Sequence, residues 1–179
     1  VINLACSHLI LGNKYTNNNL VKLIEIHLKR ISVTIKYAIA QNNNHGTSEA
    51  AALFIGGSWL ELYGINRSQN WKRDGRKYLE ERVEKLIEND GSFSQYSLNY
   101  HRMMLDTFSL VEIWRKKFDQ EDFSENFYKK ISKASDWLYE FICPYHGDGP
   151  NIGANDGSKL LNLTNSSYRD FRPSVHLAK

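Results

Sequence analysis

Ala50-Ala51-Ala52-Leu53-Phe54-Ile55-Gly56-Gly57-Ser58-Trp59-Leu60, entered through Asn42-Asn43-Asn44-His45, is the stretch that decides the fold. From Ala50 to Tyr63 the chain is apolar nearly all round, and a helix of that kind is buried on most sides rather than lying on a surface. Gly56-Gly57 costs a helix about 1 kcal/mol per Gly in propensity. Close helix packing, substrate approach or a break in mid-helix would each account for it. Amide and imidazole groups at the mouth of such a helix can grip an anion, because its first N–H groups lack partners and carry partial positive charge.

Outward from this stretch, helical periodicity continues in both directions. Ile2, Leu4, Ala5, Leu9 and Ile10 predict a first helix that breaks near Gly12. Leu20, Leu23, Ile24, His27, Leu28, Ile31, Ile35 and Ala38 predict a long second one. A fourth runs from Trp71 to Ile87, with Leu79, Val83 and Leu86 on one face and Glu80, Glu81 and Glu84 on the other, and Asn89-Asp90-Gly91 stops it. A fifth spans Leu98 to Phe118 and a sixth Phe123 to Phe141. The character changes at Cys143-Pro144, and residues 143–179, rich in Gly, Asn, Asp and Ser, read as a long ordered loop lining a cleft. The expectation is an all-α chain: residues 1–142 form helical hairpins of an incomplete (α/α) toroid, and residues 143–179 extend the same domain.

Composition narrows the function classes. The chain has 179 residues, 41% hydrophobic and 24% charged, ordinary for a globular domain with a real core. No apolar run approaches the roughly 18 to 20 residues that span a bilayer. A net charge of +3 with dispersed Lys and Arg gives no stripe for nucleic acid but tolerates a polyanion. Val1 opens inside a helical pattern without Met or a leader, so the expectation is a segment of a longer protein. The two cysteines, Cys6 and Cys143, form no disulfide framework. Cys143-Pro144-Tyr145-His146 with distant His176 lacks the second pair that a zinc site needs. Residues 147–157 lack both the P-loop ending and the EF-hand Glu. No metal and no cofactor are expected. Asn66-Arg67-Ser68, Asn162-Leu163-Thr164 and Asn165-Ser166-Ser167 match the glycosylation pattern, which is too short to weigh.

Two clusters could carry chemistry. Asn44 and His45, with Glu49 a turn on, could neutralise a carboxylate, which proton removal alpha to that carboxylate requires; the competing reading is a turn and a helix cap. Gln95-Tyr96-Ser97-Leu98-Asn99-Tyr100-His101 offers a phenol that acts as base or acid if His101 or Arg102 lowers its pKa. The competing reading is a satisfied core Tyr beside a helix-start His. Together they suggest one cleft built from several helix ends.

Four segments in this order and spacing resemble the heparinase II/III-like polysaccharide lyases, a group with alginate-lyase-like relatives. They are Asn42-Asn43-Asn44-His45 with Glu49-Ala50-Ala51-Ala52, Asp90-Gly91-Ser92-Phe93 through Tyr100-His101, Pro150 to Gly157, and Tyr168-Arg169-Asp170-Phe171-Arg172-Pro173. The resemblance implies an (α/α) toroid followed by antiparallel β-sheets, and β-elimination of uronate-containing polysaccharide. It implies Asn44 neutralising the uronate carboxylate with His45 assisting, Tyr100 moving the proton, and Gln95, His101, Asn43 and Arg169 binding sugar. The partner would be an acidic polysaccharide or oligosaccharide. Family members supply a further catalytic His or Tyr, and often a structural metal, from the β-region, so a chain ending at Lys179 would lack that domain and be inactive alone. Periplasmic or secreted location follows from the same resemblance. The competing classes are a catalytically silent carbohydrate-binding protein on the same frame, and a helical-repeat scaffold that binds peptides.

Overall fold

The computed structural model describes residues 1–12, 16–160 and 165–179; the Asn162-Leu163-Thr164 pattern lies outside them. The described residues form seven helices: α1 (Ile2–Leu11), α2 (Asn18–Ala40), α3 (Asn44–Glu61), α4 (Ser68–Leu86), α5 (Leu98–Lys117), α6 (Glu125–Phe141) and α7 (Arg172–Ala178). They contain no strand beyond a single antiparallel bridge between Ile87 and Phe93, and no helix long and apolar enough to cross a membrane. The chain is all-α.

Polar side chains set four of the helix starts by accepting an N–H of the first turn. Asn17 accepts from Leu20 at 3.0 Å, Asn43 from His45 at 2.9 Å, Ser97 from Tyr100 at 3.1 Å and Ser124 from Phe127 at 3.1 Å. The Asn43 cap starts α3 at Asn44, so the polar residues before Ala50 form its first turns rather than a preceding loop.

α3 is the core of the molecule, packed against α1, α2, α4 and α5. Leu53, Phe54, Ile55, Trp59 and Leu60 are all buried. The glycine pair finds its explanation here. A Cβ on Gly57 would stand 2.7 Å from the Lys72 backbone nitrogen, and one on Gly75 would stand 2.4 Å from that of Phe54. α3 and α4 therefore touch backbone to backbone. Gly56 faces Val1 and Leu28 side chains instead. The helix runs unbroken through both glycines.

The region after Cys143 is not loop throughout. α7 closes it, with Pro173 in its first turn and Val175 buried against α6. Seven residues give too few turns for a periodic signal, and the Ser167–Asp170 turn before it looks like loop. Phe171 and Arg102 tie the segment to α5, the guanidinium lying 4.6 Å from the Phe171 ring centre and 4.5 Å from that of Tyr168.

Candidate functional site

The turn from α2 to α3 is fixed from beneath. Arg82 of α4 is fully buried, and its Nη1 donates to Ile39 O at 2.9 Å and Asn42 Oδ1 at 3.2 Å, while Nη2 meets Glu81 Oε1 at 2.8 Å. Asn42 takes the left-handed conformation, φ 51°, that Asn tolerates better than most residues. Asn43 is spent on the cap, and its Nδ2 donates to Gln41 Oε1 at 3.2 Å. His45 is exposed, with Nδ1 2.9 Å from the same Gln41 oxygen. When Nδ1 donates there, Nε2 is the acceptor nitrogen facing outward chemistry. The Asn44 backbone N–H donates to Gln95 Oε1 at 2.8 Å, and its side-chain amide forms no hydrogen bond among the described residues. One turn deeper, Glu49 has a buried Oε2 without a hydrogen-bond partner among the described residues. Burial pushes its carboxyl above the ordinary value, and His45 pulls the other way.

The start of α5 lies under the segment from Pro150 to Ser158. Leu98 N–H donates to Ile152 O at 3.1 Å and Ser97 Oγ to Ala154 O at 2.6 Å. Between them Gly153, φ 71°, lets the segment approach so closely that a Cβ would stand 2.1 Å from Tyr96 O. The half-buried Tyr100 donates its hydroxyl to Asp156 Oδ2 at 2.8 Å. That bond and the partial burial raise the phenol above its ordinary value. Asp156 is held down to about 2, first by the Ser158 hydroxyl and then by Tyr100.

The activation expected from the neighbours of Tyr100 is corrected by their positions. His101 is 1% exposed, its Nε2 donating to Ala134 O at 2.8 Å and its ring stacked on Trp137 with centres 4.7 Å apart. Burial lowers its pKa to about 4, so it is neutral at ordinary pH. It cannot line a sugar subsite from there, nor lend charge to the phenol. Arg102 is 1% exposed and turns to the Tyr168 carbonyl at 2.5 Å and Asn99 Oδ1 at 2.8 Å. Tyr100 thus faces a carboxylate, and its shift runs opposite to the one the sequence suggested.

Arg169 is paired as well. Its Nη2 meets Asp148 Oδ1 and Gly149 O, each at 2.5 Å. Gly149 rests on the Leu98 side chain, so this pair borders the start of α5. Hydrogen bonds join Asn43 to His45, directly and through Gln41, and separately join Asn44 to Gln95; Tyr100 stands five residues past Gln95; His101 is turned away. Sequence reasoning assigned no role to Asp156 or Arg82. Asp156 lies 56 residues from Tyr100, and no spacing pattern links the two. Among the described residues no group of three His, Cys, Asp or Glu could hold a metal ion.

A family model described as heparinase II/III N-terminus matches residues 5–173, almost the whole chain. No curated protein and no solved structure matches.

Proposed function

The chain belongs to the heparinase II/III N-terminal family, and from that membership we propose that it carries part of the cleft of a polysaccharide lyase acting on acidic, uronate-containing chains by β-elimination. The observation that carries this reading is the Gln95–Asn44 hydrogen bond. It ties the beginning of α3, with its unbonded Asn44 amide and exposed His45, to the beginning of α5, with Tyr100 in its first turn. Two helix N-termini and an amide favour a carboxylate without spending a full cation. The helices would belong to an (α/α) toroid whose open edge presents these ends.

In this reading the Asn44 amide donates to the uronate carboxylate, which accumulates charge as the C5 proton leaves, and His45 assists by accepting a sugar hydroxyl proton at Nε2. The C5–H and C4–O bonds break, a C4=C5 double bond forms, and the leaving 4-oxygen takes up a proton. The resting Tyr100 is a protonated phenol, which suits the donating half of that exchange. Gln95, Asn43 and Arg169 would border the sugar. The C5 proton would pass to a second proton-handling group, which family membership would place on a β-sheet region.

The test is incubation of the full-length protein with a panel of uronate polymers while following ultraviolet absorbance of the unsaturated product. Tyr100→Phe should lower the rate at least about a hundredfold, in line with general acid–base contributions. A second reading is favoured by the Tyr100–Asp156 bond itself, since a phenol held by a carboxylate is not an activated base. It is a carbohydrate-binding protein without catalysis, which would retain polymer with no product absorbance and lose no affinity on Tyr100→Phe.

A further inference from the structure

We propose that Asp156 is the positioning residue of Tyr100, fixing the phenol oxygen in place so that its one proton turns from Asp156 to the leaving 4-oxygen; the proposal rests on the lyase reading. A phenol O–H is a rotor on a mobile ring, and general acid catalysis rewards a donor oxygen already held at its working place. Asp156 Oδ2 accepts that proton at 2.8 Å.

The carboxylate is itself built in. Its Oδ1 accepts from Ser158 N–H at 3.0 Å, from Ser158 Oγ at 2.6 Å and from Asn99 Nδ2 at 3.5 Å, which leaves Oδ2 for Tyr100. The backbone carrying it is tied to α5 on both sides of Gly153, through Ile152 O and Ala154 O. Farther along, the Tyr168 hydroxyl shares its one proton between Asn155 Oδ1 at 2.6 Å and Asn99 Oδ1 at 2.7 Å. Residues 150–158 are thus fixed on the helix end that carries Tyr100, although residues 151–157 are exposed. Among the described residues Asp156 is the charged group that acts on the hydroxyl, while Arg102 and His101 bond elsewhere.

A merely structural Asp156 would serve the turn to Ser158 and nothing more. The two roles separate in Asp156→Asn, which keeps an Oδ1 acceptor for Ser158 but presents an amide to the phenol. The experiment measures kcat, KM and the pH profile of the full-length enzyme on the uronate polymer that it cleaves, for wild type, Tyr100→Phe, Asp156→Asn and Ser158→Ala. Positioning predicts that Asp156→Asn lowers kcat about 10- to 100-fold with KM little changed. It also moves the alkaline limb to lower pH, because the phenol loses the carboxylate that raises it. Ser158→Ala, which loosens Asp156 without touching Tyr100, gives a smaller effect in the same direction and serves if Asp156→Asn misfolds. Tyr100→Phe at wild-type rate would end the lyase reading. Tyr100→Phe inactive with the Asp156→Asn and Ser158→Ala profiles unmoved would overturn this proposal and leave that reading standing.

Discussion

Gln95 Oε1 accepts the Asn44 backbone N–H at 2.8 Å across 51 residues of chain. One bond therefore satisfies an orphan donor in the first turn of α3 and fixes the loop that leads into α5. Removing the acceptor in Gln95→Ala should cost about 1 kcal/mol, which for a domain of this size lowers Tm by roughly 2–4 °C. Gln95→Glu keeps an acceptor and adds a negative charge at a helix N-terminus, so it should match or exceed wild type in Tm. The same change would weaken binding of an acidic polymer. Thermal unfolding followed by circular dichroism checks the first pair of outcomes; an unchanged Tm in Gln95→Ala would mean that the bond contributes nothing in solution.

Arg82 governs the other side of the same turn. Its fully buried guanidinium caps the end of α2 through Ile39 O and holds Asn42 in its left-handed conformation. Arg82→Met keeps most of the volume but abandons a buried carbonyl and an amide, at about 2–4 kcal/mol. Arg82→Lys should recover only part of that, because an ammonium cannot span the planar fork's partners. Urea unfolding of both variants reads the difference. Equal stability of the Lys variant and wild type would show that charge alone, not the fork, is needed.

Much of this fold is legible in the sequence because four helices carry long apolar faces. Leu79, Val83 and Leu86, or Phe127, Ile131, Ala134 and Leu138, announce a buried side without further information. The opening of α3 is not legible in the same way. Asn44, His45, Gly46, Thr47 and Ser48 are indifferent helix formers that read as a turn, until the Asn43 cap and the contact to Gln95 hold them. α7 is too short to show a period. At the site, the polar ends were visible but their partners were not. Tyr100 and His101 are neighbours in sequence, yet successive residues on an α-helix point about 100° apart. One reaches Asp156 and the other enters the core. Adjacent placement in a motif suggested a shared role that helix geometry denies.

The backbone contact between α3 and α4 gives a steric prediction. Gly57→Ala must push a methyl group to 2.7 Å from Lys72 N, and Gly75→Ala to 2.4 Å from Phe54 N. Neither neighbour is a flexible side-chain tip, so each helix must shift, and overpacking of this kind costs about 1–3 kcal/mol or more. This outweighs the helix propensity gained, which is about 1 kcal/mol. Gly56→Ala meets only side chains of Val1 and Leu28 and should be milder. Chemical denaturation of the three variants should rank Gly75→Ala as the worst; Gly57→Ala at or above wild-type stability would refute the close approach.

His101 makes stability depend on acid in a defined direction. Its folded pKa of about 4 lies below the 6.5 of an exposed imidazole because burial penalises the charged ring. The unfolded chain takes up a proton below pH 6.5 that the folded chain refuses until about pH 4. Stability contributed by the neutral, stacked imidazole is therefore complete above pH 6.5 and drains away between pH 6.5 and 4. Over that interval the loss amounts to about 3 kcal/mol. Nδ1 is buried without a hydrogen-bond partner among the described residues, so a second ring proton would have no acceptor, which is the physical reason for the refusal. His101→Gln keeps an N–H for Ala134 O and removes the titration. It should be less stable than wild type at pH 7, through lost stacking on Trp137, but its stability should fall less steeply as pH drops. Urea unfolding at pH 7, 6, 5 and 4 compares the two slopes. Parallel curves would mean that His101 is protonated in the fold as readily as outside it, and that the α5–α6 contact opens enough to hydrate the ring.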